Sequence, residues 1–290
     1  MARSDNEIKN KKHKNRSGYA ADSSLGKTSD YQDDYNPQLL LAIGRENYRS
    51  TIEALSIATY GADTWQCFEL SWLNRHGLPQ VACATITVSL TTAYIVESKS
   101  LKLYLNSLHH QHFASANEVS ACIQRDLSDL LGQGVAVTVY PSTEKNFATD
   151  VPYKAVLLDD LDVRECSYTR DARLLVIDEP LLVVEDEHLS SHLLRSVCPI
   201  TNQPDWGSLT IRYSGSAIQR EGLLRYIVSF RQHDGFHEQC VEQIYSDVMN
   251  QCQPTHLTVC AQYTRRGGID INPTRSNHSS PLVLNRLWRQ

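Results

Sequence analysis

The sequence predicts an α+β protein of two related halves, each an antiparallel sheet with helices on one face. At 290 residues the chain is long for one ordinary domain and sufficient for two. Strand-like runs separated by turn signals alternate with fewer segments of helical periodicity. The tripeptide YIV occurs at 94–96 and again at 226–228, and a predicted helix follows each copy. This repeated order is typical of a duplicated α+β unit.

The first half begins with three strand-like runs. WQCFELSWL, LPQVACATITVSL and AYIVESKSLKLYL are joined by turn signals such as NRHGLP, which predicts an antiparallel meander. SANEVSACIQRDLSDLLGQG then predicts a helix that ends at Gly132, because its apolar residues recur at helical spacing. Those residues are Val119, Cys122, Ile123, Leu127, Leu130 and Leu131. VAVTVYP predicts a further strand.

The second half repeats this order after an acidic connection over 159–186. EDEHLSSHLLRS predicts a helix, since acids occupy its first turn and Arg195 its last. SLTIRYSG and GLLRYIVSF predict strands, and FHEQCVEQIYSDVMNQC predicts an amphipathic helix. LTVCAQYTRRGGIDINP predicts a closing strand pair.

Composition and charge exclude several classes of protein. The chain has 28 Lys and Arg against 33 Asp and Glu, so no direct nucleic-acid partner is expected. No apolar run approaches the roughly 18 to 20 residues that span a bilayer, so no membrane association is expected. Residues 1–24 predict a disordered basic tail without the apolar segment of a secretory signal, which favours a cytoplasmic location. A weak RNA-binding arm is the alternative for this tail.

The eight cysteines contain no CxxC pair, so neither a zinc ribbon nor a thioredoxin-type motif is present. They are expected to be reduced thiols, and most of them to be small buried apolar groups. The histidines at 109–112, His188 and His192 lack further ligands at a suitable spacing, so no metal site is expected.

The stretch RSVCPITNQPDWG over 195–207 contains the first candidate site. Local sequence supports a reactive and a packing role for Cys198 equally. His237 and Glu238 begin a predicted helix, where the helix dipole alone also explains the acid. A cysteine, a histidine and the acids Asp205 and Glu238 have the chemistry of a nucleophile with its proton-transfer partners.

A second candidate site combines two polar segments. The acid, two hydroxyls and lysine at 97–100 favour a ligand with donor and acceptor edges and negative charge, although lysines at a strand end also discourage aggregation. TRRGG, which includes residues 265–268, offers guanidinium groups beside glycines that let backbone N–H groups approach a phosphate. GQGVAV lies after a helix and before a strand, the reverse of the Rossmann order, so a dinucleotide would bind elsewhere.

Four motifs together resemble a known family. ESKSLKLY, VCPITNQPDWG, FHEQC and RRGGIDINP are similar to the NADPH-dependent 7-cyano-7-deazaguanine reductases of queuosine biosynthesis, in their long two-module branch. The likeness runs from about Leu25 to Asn277. It implies tandem tunnelling-fold modules at 25–165 and 166–290, with the catalytic cysteine in the second. It also implies a homodimer.

The resemblance implies a role for each matching residue. Cys198 would be the nucleophile, Asp205 the proton donor, and His237 a binding group and proton shuttle. Substrate contacts are implied for Val96, Glu97, Ser98, His237 and Glu238. Contacts with NADPH are implied for Ser98, Lys99, Arg266 and Gly267.

The implied reaction reduces the nitrile of 7-cyano-7-deazaguanine to the aminomethyl product used in queuosine tRNA modification. The thiolate adds to the nitrile carbon to form a covalent thioimidate, and two NADPH are consumed. A closed site is expected because an imine must be kept from water, with Phe236 or Trp206 as a candidate lid.

Two rival functions stay open at this point. A cysteine hydrolase with Cys198 and His237 as nucleophile and base would act without NADPH. A non-catalytic tandem module would bind tRNA through the basic tail with Arg265 and Arg266, and its binding would weaken steeply with salt.

Overall fold

A computed structural model of the chain describes residues 34–141, 155–178, 182–279, 286–287 and 289–290, and the predicted tail at 1–24 lies outside them. The first half contains β1 (Ala42–Gly44), α1 (Glu46–Arg49), β2 (Tyr60–Leu73), β3 (Pro79–Ser89), β4 (Tyr94–Val96), α2 (Ser98–Ser107), α3 (Ala116–Leu131) and β5 (Ala136–Pro141). β6 (Val156–Leu157) follows, and the second half contains β7 (Val183–Val197), β8 (Pro204–Ser216), α4 (Arg220–Ser229), α5 (His237–Cys252), β9 (His256–Tyr263) and β10 (Ile269–Ser276). Among the described residues, no helix is both long and apolar enough to cross a bilayer.

One eight-stranded sheet runs through both halves in the order β5-β3-β2-β10-β9-β8-β7-β6. Adjacent strands are antiparallel except for the short parallel pair β6 and β7. The last strand, β10, pairs with β2 from Ile269 opposite Cys67 to Ser276 opposite Tyr60. The two halves therefore share a continuous hydrogen-bonded seam.

The long helices cover one face of this sheet. Alternate residues of β10 share a face, so Ile269, Ile271 and Arg275 point the same way. Ile269 and Ile271 belong to the apolar core beneath α2 and α3, and Arg275 contacts Glu242 of α5. A second core lies between α4, α5 and strands β7 to β9. The predicted α+β class with antiparallel sheets and helices on one face is confirmed.

The first two strands of the predicted meander are confirmed as β2 and β3, and the strands VAVTVYP and SLTIRYSG as β5 and β8. Of the third run, only YIV is a strand; it is β4, which pairs with β1 in a separate two-stranded sheet. The closing pair is confirmed as β9 and β10, and the helix from FHE onward as α5. The first predicted helix is α3, and it ends where Gly132 adopts the left-handed conformation at φ 66°.

Two predicted strands are helices instead. ESKSLKLY forms α2, because the Glu97 carboxylate caps it by accepting from the amides of Lys99 at 2.9 Å and Ser100 at 2.8 Å. GLLRYIVSF forms most of α4. In both segments the buried apolar residues recur every three or four positions, and this helical period outweighs the β propensity of the isoleucine, valine and tyrosine side chains.

The predicted helix EDEHLSSHLLRS is wrong, because this segment forms most of β7. Leu189, Ser191, Leu194 and Ser196 are its buried positions, with a register shift between Ser191 and Leu194. Two of the buried residues are serines and the bulge adds a residue, so the alternation is hidden in the sequence. His188 and His192 therefore do not share a helix face.

The two halves correspond to each other, but not through the elements that the repeated YIV predicts. The first YIV is β4, whereas the second lies inside α4. The matching elements are α2 with α4 and α3 with α5. Tyr104 of α2 donates to Asp126 of α3 at 2.6 Å, and Tyr226 of α4 donates to Asp247 of α5 at 2.6 Å. Each aspartate is the eleventh residue of a 16-residue helix, so the two halves hold their helix pairs by the same bond.

Candidate active site

One cavity of about 240 Å³ brings together the ten residues to which the family resemblance gives a role. Its walls come from β4 and α2 of the first half, and from the β7–β8 loop, the start of α5 and the β9–β10 loop of the second. The predicted residues on these walls are Val96, Glu97, Ser98, Lys99, Cys198, Asp205, His237, Glu238, Arg266 and Gly267.

Cys198 lies at the start of the loop that joins β7 to β8. Its amide donates to the carbonyl of Gln203 at 2.9 Å, which closes the loop. The preceding residue, Val197, donates to the carbonyl of His233 at 2.9 Å and accepts from Gly235 at 3.1 Å. These bonds tie the strand end to the segment just before α5. The half-exposed thiol is therefore held beside the start of that helix.

Asp205 is the buried acid next to this loop. The Nε2 atom of His237 lies 3.2 Å from its Oδ1, and the Arg266 guanidinium contacts the same oxygen. Arg266 also donates to the carbonyl of Pro204 at 3.1 Å. The His237 ring stacks on Tyr263 at a centroid distance of 3.9 Å and an angle of 13°. The acid and the histidine are thus oriented by the protein before any ligand binds.

Glu238 is the second buried acid, and its Oε1 has no hydrogen-bond partner among the described residues. Burial raises the pKa of Glu238 to about 7, and the nearby carboxylate of Asp63 adds to this rise. The charges of His237 and Arg45 act in the opposite direction. The Nδ1 atom of His237 is likewise buried without a partner in the described part of the chain. Both atoms are suited to bond a polar ligand in the cavity.

The start of α2 and the β9–β10 loop form the other side of the cavity. Glu97 caps the helix, so its carboxylate lies at the cavity wall with Ser98 and Lys99 in the first turn. Gly267 has φ 58°, and a Cβ there would lie 2.8 Å from the side chain of Lys102. A helix start with lysines beside a glycine backbone is suited to phosphate groups.

Several lining residues were not predicted from the sequence. Lys102 is the one with a local signal, because it lies one turn after Lys99 in ESKSLK and so faces the same side of α2. The others provide apolar surface or polar loop atoms, and no individual role was predicted for them; they are Trp65, Ile95, Pro199, Thr201, Gln203 and Ile271.

Four residues of the candidate sites and lids do not line the cavity: Ser100, Trp206, Arg265 and Gly268. The Arg265 guanidinium lies 5.2 Å from the ring centroid of Phe68. Trp206 points outward, with the guanidinium groups of Arg195 and Arg231 each 5.5 Å from its ring centroid. Of the two candidate lids, only Phe236 borders the cavity.

The expectation for the remaining cysteines is confirmed in most cases. All eight are free thiols, and the buried ones are Cys67, Cys122, Cys240, Cys252 and Cys260. Burial raises the pKa of Cys252 to about 11 and that of Cys240 to about 12, so these thiols stay protonated and pack as apolar groups.

Two protein-family models match this chain. The model described as "Nitrile reductase, 7-cyano-7-deazaguanine-reductase N-term" matches residues 31–139, which include the start of α2. The model described as "QueF-like protein" matches residues 204–281, which include β8, α5 and the β9–β10 loop.

Three relatives are similar to the chain over nearly its whole length, and each is named NADPH-dependent 7-cyano-7-deazaguanine reductase. The protein from Verminephrobacter eiseniae is 48% identical over 276 residues, which cover 92% of this chain and 98% of the relative. The protein from a Polaromonas species is 47% identical over 272 residues, with coverage of 92% and 98%. The one from Cupriavidus metallidurans is 45% identical over 267 residues, with coverage of 91% and 96%. This chain belongs to the family of the NADPH-dependent 7-cyano-7-deazaguanine reductases.

Proposed function

We propose that this protein reduces the nitrile of 7-cyano-7-deazaguanine to 7-aminomethyl-7-deazaguanine with two NADPH, as a step in queuosine biosynthesis. One observation carries the proposal: Cys198, the Asp205–His237 pair and Glu238 share a cavity whose far wall is the lysine-bearing start of α2. The family membership supports the same reaction.

The thiol of Cys198 is the proposed nucleophile. A nitrile carbon is electrophilic, and addition of the Cys198 sulfur places developing negative charge on the nitrogen. Asp205 is the proposed proton donor to that nitrogen, which yields a covalent thioimidate. The contacts of Asp205 with His237 and Arg266 support this role, because they hold the carboxyl at the cavity wall.

His237 is the proposed proton shuttle. Reduction of a nitrile to an amine takes up two hydrides and matching protons, so protons must reach the nitrogen more than once. Nε2 of His237 faces Asp205, while its Nδ1 is buried and lacks a partner among the described residues. The ring can therefore pass a proton to Asp205 from its other side.

Substrate recognition is proposed for Val96, Glu97, Ser98, His237 and Glu238. Deazaguanine has an N–H group of the ring next to an amino group, and a carboxylate can accept hydrogen bonds from both. The unpartnered Oε1 of Glu238 supports its assignment to this edge. The carboxylate of Glu97 already caps α2, yet each of its oxygens keeps a second lone pair for the ligand.

Cofactor binding is proposed for Ser98, Lys99, Arg266 and Gly267. Lys99 and Arg266 supply positive charge, and the left-handed Gly267 lets the backbone approach closely, which fits the phosphates of NADPH. When bound, NADPH supplies the hydrides. The protein residues orient the nitrile carbon and exclude water from it.

We further propose a cytoplasmic homodimer with a module boundary between residues 165 and 166. The free thiols of all eight cysteines are consistent with a reducing compartment. The open sheet supports self-association, because β5 and β6 are edge strands among the described residues and both residues of β6 are exposed.

The test starts with the purified protein and 7-cyano-7-deazaguanine in the absence of NADPH. Intact mass and peptide mapping are expected to find an adduct on Cys198. Added NADPH is then expected to discharge the adduct to the amine, with two NADPH oxidised per product. An adduct lost to water without NADPH oxidation would support the cysteine hydrolase. Folded protein that forms no adduct and oxidises no NADPH would overturn both enzymatic functions and leave the tRNA-binding module.

A further inference from the structure

A cluster of buried charges lies behind the substrate wall, at the seam between the two halves. Asp63 of β2 and Glu242 of α5 are its acids, and Arg45, Arg49 and Arg275 are its bases. All of these side chains are almost fully buried except Arg49, which is 22% exposed. None of these five residues lies in one of the four family motifs.

The geometry of the cluster is dense. Arg275 donates to Asp63 at 2.8 Å and to Glu242 at 2.7 Å, so it bridges β2 and α5. Arg49 donates to Glu242 at 2.5 Å, and Nη1 of Arg45 lies 3.5 Å from the same carboxylate. Arg45 also contacts Asp63. Gly61 permits the close approach of the strands, because a Cβ there would overlap the carbonyl of Thr274.

The cluster carries one surplus positive charge. Burial alone would raise the pKa of Asp63 and Glu242, but Arg275 and its neighbouring guanidinium groups hold both values below the ordinary range. Both acids are therefore ionised, and three guanidinium groups face two carboxylates. The surplus is associated with Arg45, whose Nε has no hydrogen-bond partner among the described residues.

Glu238 is the acid placed to balance this charge. It precedes Glu242 by one helical turn, so the two side chains lie on the same face of α5. Arg45 favours the charged form of Glu238, whereas burial and Asp63 oppose it. The titratable and charged groups around Glu238 are His237, Cys240 and Glu242 of its own helix, Asp63 of β2, Tyr48 of α1 and Arg45 before α1.

We propose that Arg45 is a positioning residue for substrate recognition: held between Asp63 and Glu242, its guanidinium favours the ionised form of the Glu238 carboxylate, which accepts from the N–H donors of the deazaguanine. This inference rests on the function proposed above. It assigns the buried seam between the two halves a part in ligand binding, in addition to its part in joining them.

The direction in which pH changes substrate affinity follows from the ionisation of Glu238. The binding form of Glu238 is the ionised one, which becomes populated as pH rises through its pKa of about 7. Loss of the Arg45 charge raises that pKa further, so the variant needs a higher pH to bind substrate. The affinity defect is therefore large at neutral pH and disappears at alkaline pH.

The experiment measures KM and kcat for 7-cyano-7-deazaguanine in Arg45→Gln between about pH 6 and 9. A shift of one pKa unit corresponds to a rise in KM of about fivefold at pH 7 and nearly tenfold at pH 6, with kcat changed less than about twofold and KM close to wild type near pH 9. Arg45→Lys keeps the charge and is expected to restore most of the wild-type profile.

Two further variants separate this role from a purely structural one. Glu238→Gln has no acid to titrate, so adding Arg45→Gln to it should change KM less than about twofold. Arg212→Gln is the matched control, since Arg212 has the same 22% exposure as Arg49 and pairs with Asp186, far along β8 from Asp205. It is expected to leave the pH profile unchanged.

An equal loss of affinity at every pH, or the same loss in the Glu238→Gln background, would overturn the inference. If Arg45→Gln does not fold, Arg49→Gln removes a charge from the same carboxylate at the cluster's rim and should shift the profile in the same direction by a smaller amount. No shift in that variant also overturns it. A wild-type protein without nitrile reduction would instead contradict the proposed function itself.

Discussion

The two halves of the molecule build the same junction between a strand end and a helix start, yet only the second is proposed to carry chemistry. In the first half Leu73 donates to Gln111 and accepts from Phe113, which ties β2 to the segment before α3. In the second half Val197 makes the same pair of bonds before α5. The residue after Leu73 is Asn74, and the residue after Val197 is Cys198.

The two junctions differ in the hydrogen-bond partners of their polar groups. Asn74 caps its own turn by accepting from the amides of His76 at 2.9 Å and Leu78 at 3.0 Å. Ser115 caps α3 by accepting from the amide of Glu118 at 3.3 Å, whereas no side chain caps α5. The first junction satisfies its polar groups internally, and the second directs them toward the cavity. Local stabilisation is given up where a ligand is expected to bind.

The largest expected effect is on activity, and it distinguishes the two junctions. Cys198→Ala should lower nitrile reduction by about a thousandfold or more, because Cys198 is the only thiol among the described residues that line the cavity. Asn74→Ala at the equivalent position should leave kcat within about twofold and cost about 1 kcal/mol of stability through its lost turn cap. NADPH oxidation and urea unfolding of both variants measure this contrast. Comparable losses of activity would contradict it.

A smaller effect, on stability, tests the tyrosine–aspartate hydrogen bond that the two halves share. Tyr104→Phe and Tyr226→Phe each remove a 2.6 Å bond to the aspartate that joins the helix pair. Each should lower the free energy of unfolding by about 2 kcal/mol, since a buried bond to a charged group is lost. Thermal and urea unfolding give the values, with the exposed Tyr60→Phe as the control. Losses that differ several-fold between the halves would show that the shared bond does not have a shared role.

The smallest effect concerns the stability cost of Glu238. Its folded pKa of about 7 lies above the unfolded value, so its favourable contribution is complete below the unfolded pKa and is lost as pH rises through about 7. Glu238→Gln should therefore stabilise the protein by about 1 kcal/mol near pH 8 and by little near pH 5. Urea unfolding at both pH values tests this, and the exposed Asn117→Asp, at the equivalent place on α3, is the control. Equal stabilisation at both pH values would indicate a packing effect instead.

Much of the candidate site was visible in the sequence because motifs report local chemistry. Glu97, Ser98 and Lys99 are consecutive, and His237 and Glu238 are adjacent, so each group could be recognised as a unit. The fold class followed from hydrophobic periodicity. Element type failed in α2, α4 and β7, where β-rich composition masked a helical period or buried serines masked an alternating one.

The register of the duplication could not be read from a tripeptide. The matching features are Tyr104 with Asp126 and Tyr226 with Asp247, and each pair is separated by about twenty residues that carry no shared motif. A hydrogen bond between two helices depends on how the helices pack, so only the folded structure identifies the equivalent positions.

The sequence by itself determined the types of reactive group: a cysteine in a polar loop, a histidine and an acid at a helix start, and an acid, two hydroxyls and a lysine in consecutive positions. The tertiary structure alone decided that these groups meet in one cavity, because β10 pairs with β2 across the chain. It also decided the charge of the site. Arg45, Asp63, Glu242 and Arg275 are ordinary charged residues in the sequence, and only their common burial at the seam couples them to Glu238.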